Sequence, residues 1–453
     1  MKSLAIYSML IILVFGSRLC WSQSQAKNLD KPNILLIVAD DLGYADLSSY
    51  GSNDIETPHI DKLVNSGMKF SNFHANSSVC SPTRASILTG FYSDVAGVPG
   101  VIRTNPLNSW GYLSESAVLL PKILKSKNYH SAIIGKWHLG LESPNIPNDR
   151  GFDVFHGFLG DMMDDYYTHL RHDKNYMRFN KEVINPKGHA TDIFSNWACD
   201  YISERAKTEA PFFLYLAFNA PHFPIQPPPK WLAKVNKEHP KISAKRARLV
   251  ALIEHLDAKV GDVINTLKES GVYDNTLIIF TSDNGGNLKL GANNGNLRDG
   301  KGSMYEGGLS IPACVVWPDH IRSGTQNSNV FLTMDIFPTI LEAVGLKPPK
   351  TIDGSSFLSV AEGQSSNMKD RTVFFCRKEG GVHFAGKNSN ALISGKWKLL
   401  QNTPFSELEL YDLSKDTLEE NNVIEKENDL FKTLIKKLQA HNQDTGKIPW
   451  QSE

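Results

Sequence analysis

Five short, almost uninterrupted apolar runs punctuate this chain, Ile34–Ala39, His130–Ile134, Phe212–Phe218, Leu277–Phe280 and Ala313–Trp317, and a polar cluster closes each one. Runs of this length without polar alternation, bounded by turn formers, read as strands buried on both faces. Between them lie helical patterns, clearest through Leu249, Leu252, Ile253, Leu256, Val260, Val263, Ile264 and Leu267. Strands that alternate with helices and hide both faces require helices above and below a sheet. The expected fold is α/β: a large mixed, mostly parallel sheet sandwiched by helices.

After about residue 350 the character changes. Thr372–Phe375, Ala391–Ile393, Trp397–Leu400 and Glu409–Leu413 are separated by Gly, Ser and Asn, and a helical pattern runs from Asp429 to His441. This predicts a smaller C-terminal body of antiparallel sheet plus helix over 351–453, with the boundary near Pro348–Gly354. A length of 453 residues suits such a division.

Met1-Lys2 and the apolar stretch Leu4–Gly16, followed by small and polar residues up to Ala26, have the layout of a secretory signal peptide over 1–26. The stretch is too short to span a bilayer, so no stable membrane insertion is expected. Cleavage after Ser22 or after Ala26 leaves a small residue at the cut. Cys20 suggests a lipoprotein, but Leu19 stands where such signals want a small residue. The mature chain is expected to be exported, periplasmic or secreted. Cys20, Cys80, Cys199, Cys314 and Cys376 include no CxxC pair, which excludes zinc-ribbon and thioredoxin-like readings. Without Cys20 and with Cys80 set aside for chemistry, at most one disulfide remains.

With 48 basic and 48 acidic residues the net charge is zero. That argues against a general nucleic-acid binder, and any anion recognition must be local. The basic stretch after Pro227-Pro228-Pro229, from Lys230 to Arg248, reads as a solvated connection into the following helix; attraction of a polyanion is the alternative.

Ligands of open α/β sheets gather outside the carboxyl ends of the strands. The residues that close the first four runs are Asp40-Asp41, then Lys136 and His138, then His222, then Asp283-Asn284. The acids and Asn284 offer only oxygen, which suits one hard cation, calcium or magnesium. The set lacks the histidines that two-zinc phosphatases use. A fifth feature is Cys80-Ser81-Pro82-Thr83-Arg84, with Ser81 suited to cap a helix, Pro82 to its first position, and Arg84 in its first turn. Such a helix start is an anion site with a thiol at its rim.

Cys80-x-Pro82-x-Arg84 followed by Ala85-Ser86-Ile87-Leu88-Thr89-Gly90 resembles the signature of the type I formylglycine-dependent sulfatases of the alkaline phosphatase superfamily. The resemblance extends to Asn33–Asp41, Gly135-Lys136-Trp137-His138-Leu139-Gly140, Asn219-Ala220-Pro221-His222, Thr281-Ser282-Asp283-Asn284-Gly285 and Gly300-Lys301-Gly302-Ser303. It implies that Cys80 is converted to formylglycine by a maturation enzyme, and that Asp40, Asp41, Asp283 and Asn284, with the modified Cys80, hold calcium. It assigns Arg84, Lys136 and Lys301 to the hydrate and the sulfate, His222 to the leaving oxygen, and His138 to release of the covalent sulfate. One departure is Leu309-Ser310 after Tyr305-Glu306-Gly307-Gly308, where members often carry an arginine.

The segment Asp161–Asn180 mixes aromatic and charged groups, including His169, Arg171 and His172. With Arg103, Arg377 and His383 it forms a candidate sugar-binding wall. The expected activity is hydrolysis of sulfate esters on a carbohydrate, with algal polysaccharide such as ulvan, carrageenan or fucan favoured and glycosaminoglycan the alternative. A phosphonate or phosphate ester hydrolase and a non-catalytic carbohydrate-binding relative are the rival readings.

Overall fold

Every residue of the strand Asn33–Ala39 is buried, and it has a parallel partner on each side, Phe212–Ala217 and Thr276–Ser282. A computed structural model describes residues 31–364, 371–380, 384 and 386–447. The leader expected over 1–26, with Cys20, and His383 lie outside them. Among the described residues, the main sheet has ten strands in the order Thr325–Asn327, Met68–Phe70, Ala313–Val316, Thr276–Ser282, Asn33–Ala39, Phe212–Ala217, His130–Lys136, Val154–Phe158, Met177–Phe179 and Glu182–Val183. The central five, from Thr276–Ser282 to Val154–Phe158, are parallel. Ala313–Val316 and Met177–Phe179 flank them antiparallel, so the sheet is mixed.

Alternation along the strands divides the core in two. Ile34, Leu36, Val38, Phe213 and Tyr215 pack on one face with the helices Cys80–Thr89 and Ile336–Ala343. Leu35, Ile37, Ala39, Leu214 and Leu216 pack on the other against Ala190–Arg205 and Ala244–Glu269. Full burial of each such Leu, Ile or Phe side chain contributes about 1.5–3 kcal/mol, so truncating a Leu or Ile among them to Ala costs about 2–5 kcal/mol.

Register aligns the strand ends. Ala39 pairs with Ser282, Val38 with Ala217, and Ala217 with Gly135, so the residues that follow emerge along one edge. Gly135 has φ 104°, and a Cβ there would lie 1.9 Å from Ala217 O. Only glycine allows this approach just before Lys136.

The smaller sheet is antiparallel, in the order Thr372–Glu379, Lys387–Ser394, Trp397–Gln401 and Glu409–Asp412. The helix Asn428–Thr445 covers one face through Leu434 and Leu438. The other face, with Val373, Phe375, Ile393 and Leu400, packs on Met304, Leu309, Leu332 and Met334 of the larger body. Phe357, Leu358, Val360 and Ala361 still belong to the large core. The packing therefore changes body between Ala361 and Thr372, later than the compositional change at Pro348–Gly354. Cys80, Cys199, Cys314 and Cys376 are all free thiols, so the one disulfide that the count allows does not form among the described residues.

The basic stretch is only partly a solvated connection. Pro229–Glu238 is a helix, and Arg246, 9% exposed, is paired with Asp46 and Asp54 at 2.5 and 2.7 Å.

Candidate active site

The helix carrying the thiol begins at Cys80 itself, two residues earlier than its sequence suggests. Val79 is the N-cap residue and makes no side-chain cap bond. Ser81 lies inside the first turn, where its Oγ accepts from Ile102 N at 3.1 Å. Pro82 is the third helical residue, within the turn whose amides have no intrahelical partner, so its missing N–H costs the helix no bond. The demand of the neighbouring loop for an acceptor, which no local pattern reveals, takes Ser81 away from capping.

Around Cys80 the strand-end residues converge. Asp40 is fully buried and accepts from Lys136 Nζ at 2.5 Å, while its other oxygen lies 3.4 Å from Cys80 Sγ. Asp41, in the left-handed region at φ 69°, accepts from Lys301 Nζ at 2.6 and 2.7 Å and from Asn284 Nδ2 at 2.8 Å. Asp283 takes Arg84 Nε and Nη2 on one oxygen, at 2.9 and 2.7 Å, and Asp41 N on the other at 3.2 Å. His222 Nε2 lies 3.6 Å from Asp41, and Lys301 Nζ is 3.6 Å from Cys80 Sγ.

The electrostatics follow from burial and pairing. Desolvation pushes Asp40 up, but Lys136, His222, Arg84 and Lys301 outweigh it and hold the carboxyl well below its ordinary range. Burial, then the Asp40 charge, raises Asp283 to about 7. Burial and Asp40 push the Cys80 thiol far up. The helix start therefore does not make Cys80 a thiolate, and the unmodified thiol is a poor nucleophile at neutral pH. Burial and Lys301 lower His222; burial, Lys136 and Arg84 lower His138 further. His138, at φ 60°, donates from Nε2 to Ile102 O at 2.8 Å, which leaves Nδ1 a buried lone pair without a partner. His222 donates from Nδ1 to Phe223 O at 2.7 Å.

The donor set fits a hard cation. Asp40, Asp41, Cys80 and His222 present ligand atoms within 4.8 Å of one another. Asn284 Oδ1 is buried without a hydrogen-bond partner, an oxygen that a cation would satisfy. His222 beside the acids is an addition to the ligand candidates that its sequence position alone did not single out.

A cavity of about 190 Å³ opens onto Cys80, His138, His222 and Lys301, and Arg103, Arg171 and Arg377 line it as well. His169 and His172 are not among its lining residues. The His169 ring is buried against Gly188 O at 3.0 Å, and His172 hydrogen-bonds through its backbone to Asp164. Asp161, Met162, Val79 and Val101 complete the wall. Asp161 and Met162 open the segment that the sequence offers as a sugar-binding wall, whereas no sequence pattern selects Val79 or Val101, which tertiary packing brings in beside the Cys80 helix. Behind the site, Tyr166 OH bonds Asn219 O and His222 O at 2.7 and 2.9 Å, fixing the turn that carries His222.

An acidic cluster able to hold a metal, with a thiol at a helix start and cations around it, is what cleavage of a sulfuric ester requires, and comparison with known proteins places the chain among the sulfuric ester hydrolases of the alkaline phosphatase superfamily. The family model described as Sulfatase matches residues 32–346, and the chain belongs to that family. A second, described as N-sulphoglucosamine sulphohydrolase, C-terminal, matches residues 299–444. The chain is 33% identical over 371 residues to human N-acetylgalactosamine-6-sulfatase, covering 76% of this chain and 68% of the relative. It is 30% identical to a sulfatase of Formosa agariphila over 95% and 91% of the two chains. The crystal structure of Ps i-CgsB in complex with k-i-k-neocarrahexaose superposes with a TM-score of 0.85 at 32% identity, over 93% and 95% of the chains. No helix among the described residues is long and apolar enough to cross a membrane.

Proposed function

We propose that this sulfatase is exported and removes a sulfate ester from a sulfated carbohydrate, favouring algal polysaccharide or its oligosaccharides, through a formylglycine made from Cys80. The reading rests above all on Cys80 Sγ standing beside Asp40, Asp41 and Lys301 at the floor of a cavity rimmed by arginines. The relative solved with a carrageenan hexasaccharide supports the polysaccharide, and N-acetylgalactosamine-6-sulfatase supports glycosaminoglycan as the alternative.

Oxidised and hydrated, residue 80 offers two hydroxyls, one to take the sulfuryl group and one to expel it. Calcium or magnesium held by Asp40, Asp41, Asp283 and Asn284 would offset charge on sulfate oxygens and favour the ionised hydroxyl. Three buried acids, Asp40, Asp41 and Asp283, already face three cations, Arg84, Lys136 and Lys301. The two charges of such an ion therefore match the two that an ester and an ionised hydroxyl bring. Lys136 and Lys301 hold the sulfate oxygens as the ester bond breaks, and Arg84 holds Asp283 in place. His222, with Nδ1 bonded to Phe223 O and Nε2 beside Asp41, protonates the departing sugar oxygen from Nε2 when the imidazole carries both protons. The Nδ1 lone pair of His138 takes the proton of the second hydroxyl, so that sulfate leaves and the carbonyl re-forms.

The test is sulfate release from defined sulfated oligosaccharides by enzyme produced with a formylglycine-generating maturation enzyme, together with turnover of aryl sulfate against aryl phosphate. Release from the oligosaccharides with aryl sulfate preferred is the expected result. Preference for the phosphate would reassign the chemistry, and no release of either kind would leave only carbohydrate binding.

A further inference from the structure

Two arginines from different bodies of the fold share one buried carboxylate at the catalytic cavity. Arg103 belongs to the loop that follows the Cys80 helix, Arg377 to the strand Thr372–Glu379 of the smaller sheet, and both line the cavity. Glu379, 2% exposed, meets Arg103 Nη2 at 2.5 Å through Oε2 and takes Arg377 Nε and Nη2 on Oε1. Other donors are tied to carbonyls: Arg103 Nη1 to Val101 O and Asn108 O at 3.3 and 2.8 Å, Arg377 Nη1 to Gly302 O at 3.1 Å. The Phe384 ring lies 4.3 Å from the Arg103 guanidinium and 5.9 Å from that of Arg377. Both groups are thus held in fixed orientation, and the hydrogen bond from Lys378 N to Pro99 O at 2.8 Å joins the strand to the loop.

Two guanidiniums on one carboxylate leave a positive charge in excess. The cavity's third arginine differs, because Arg171 has two acids of its own, Asp161 and Asp164, at 3.1 and 2.7 Å. Retaining an excess guanidinium charge in a largely buried wall costs desolvation unless an anion completes it. Beside Cys80 the cavity has a separate cation in Lys301, 3.6 Å from Sγ, for the ester being cleaved.

We propose that the Arg103–Glu379–Arg377 group binds a second oxyanion of the substrate, a further sulfate or a uronate carboxylate close to the scissile ester, with Glu379 as the positioning residue. This rests on the sulfatase reading above. Arg103 and Arg377 line the same cavity as Cys80, so the second anion lies on the same sugar or on the ring joined to it. Planar guanidiniums in fixed orientation suit the fork geometry of either oxyanion.

Calorimetry on the full-length Cys80→Ala protein, which binds without turnover, tests this with three probes of one oligosaccharide backbone: one sulfate, two sulfates, or one sulfate beside a uronate. The expected result is a Kd about tenfold or more tighter for at least one dianionic probe than for the monosulfated one, the gain of a charge-assisted pair. Adding Arg103→Ala or Arg377→Ala should bring that ratio close to unity, and Glu379→Ala, which unpins both groups, should reduce it. Equal affinity for all three probes in the Cys80→Ala protein overturns the proposal without recourse to any wall variant. So does a ratio that survives both arginine substitutions. Retained preference in Cys80→Ala protein alongside no sulfate release by the mature enzyme would support the second-anion site while defeating the sulfatase mechanism.

Discussion

Arg84 gives two hydrogen bonds, from Nε at 2.9 Å and Nη2 at 2.7 Å, to one oxygen of Asp283, 199 residues further along the chain. Both side chains are fully buried. A lysine keeps the charge but cannot make the fork. Arg84→Lys should therefore retain the fold, checked by circular dichroism, and lose about 10²–10³-fold in kcat. Wild-type kcat in a folded Arg84→Lys protein would remove this pair from the chemistry.

Cys80→Ala should abolish sulfate release while shifting the unfolding temperature little, because the Sγ contacts with Asp40, Asp41 and Lys301 are long, at 3.4, 4.0 and 3.6 Å. Mass spectrometry of the Cys80 peptide from active enzyme should show the aldehyde. An active preparation containing only the thiol would overturn the mechanism.

Chelation should remove activity, and calcium or magnesium should restore it. The ion closes a cluster that includes an unpartnered buried Asn284 Oδ1, so saturating it should also stabilise the protein, by about 2.7 kcal/mol at a hundredfold excess over Kd. Thermal melts with and without chelator measure this; identical melts and identical rates would argue that these oxygens hold no ion.

If His222 protonates the sugar oxygen, its loss matters most where the leaving group is poor. His222→Ala should cost about 10²–10⁴-fold in kcat on a sugar sulfate and clearly less on an aryl sulfate with an acidic phenol. Equal losses on both would assign His222 to another role.

A buried charge network joins the two bodies. Lys398, fully buried in the smaller sheet, meets Glu306 at 2.7 Å and Glu419 at 2.9 Å, and Glu306 meets His74 of the larger body at 2.8 Å. Burial pushes Glu306 up, but Lys398 and His74 hold it well below its ordinary range. Lys398→Met strands two acids and should destabilise the protein by about 3–5 kcal/mol, read from denaturant unfolding. A change under 1 kcal/mol would show the network to be as weak as an exposed pair.

The strands were legible because strands buried on both faces need unbroken apolar runs, and Asp40, Lys136 and Asp283 were legible because they close such runs. Boundaries were less so. Thr276 and Thr281 extend a strand whose apolar centre is Leu277–Phe280, since buried threonines find backbone partners that composition does not announce. Ser81 looked like a cap and is a loop anchor. His169 and His172 shared the polar, aromatic character of Arg171, yet Arg171 alone of the three lines the cavity.

By itself the sequence determined the elements and the chemistry each strand end carries, since burial period and residue type are local properties. Tertiary structure decided what meets what. Parallel register brought Asp40, Lys136 and Asp283 to one edge, and the docking of the smaller sheet set Arg377 and Glu379 against Arg103. Residues this far apart in sequence have no local signal to pair them, because their contact is specified by the packing of two cores.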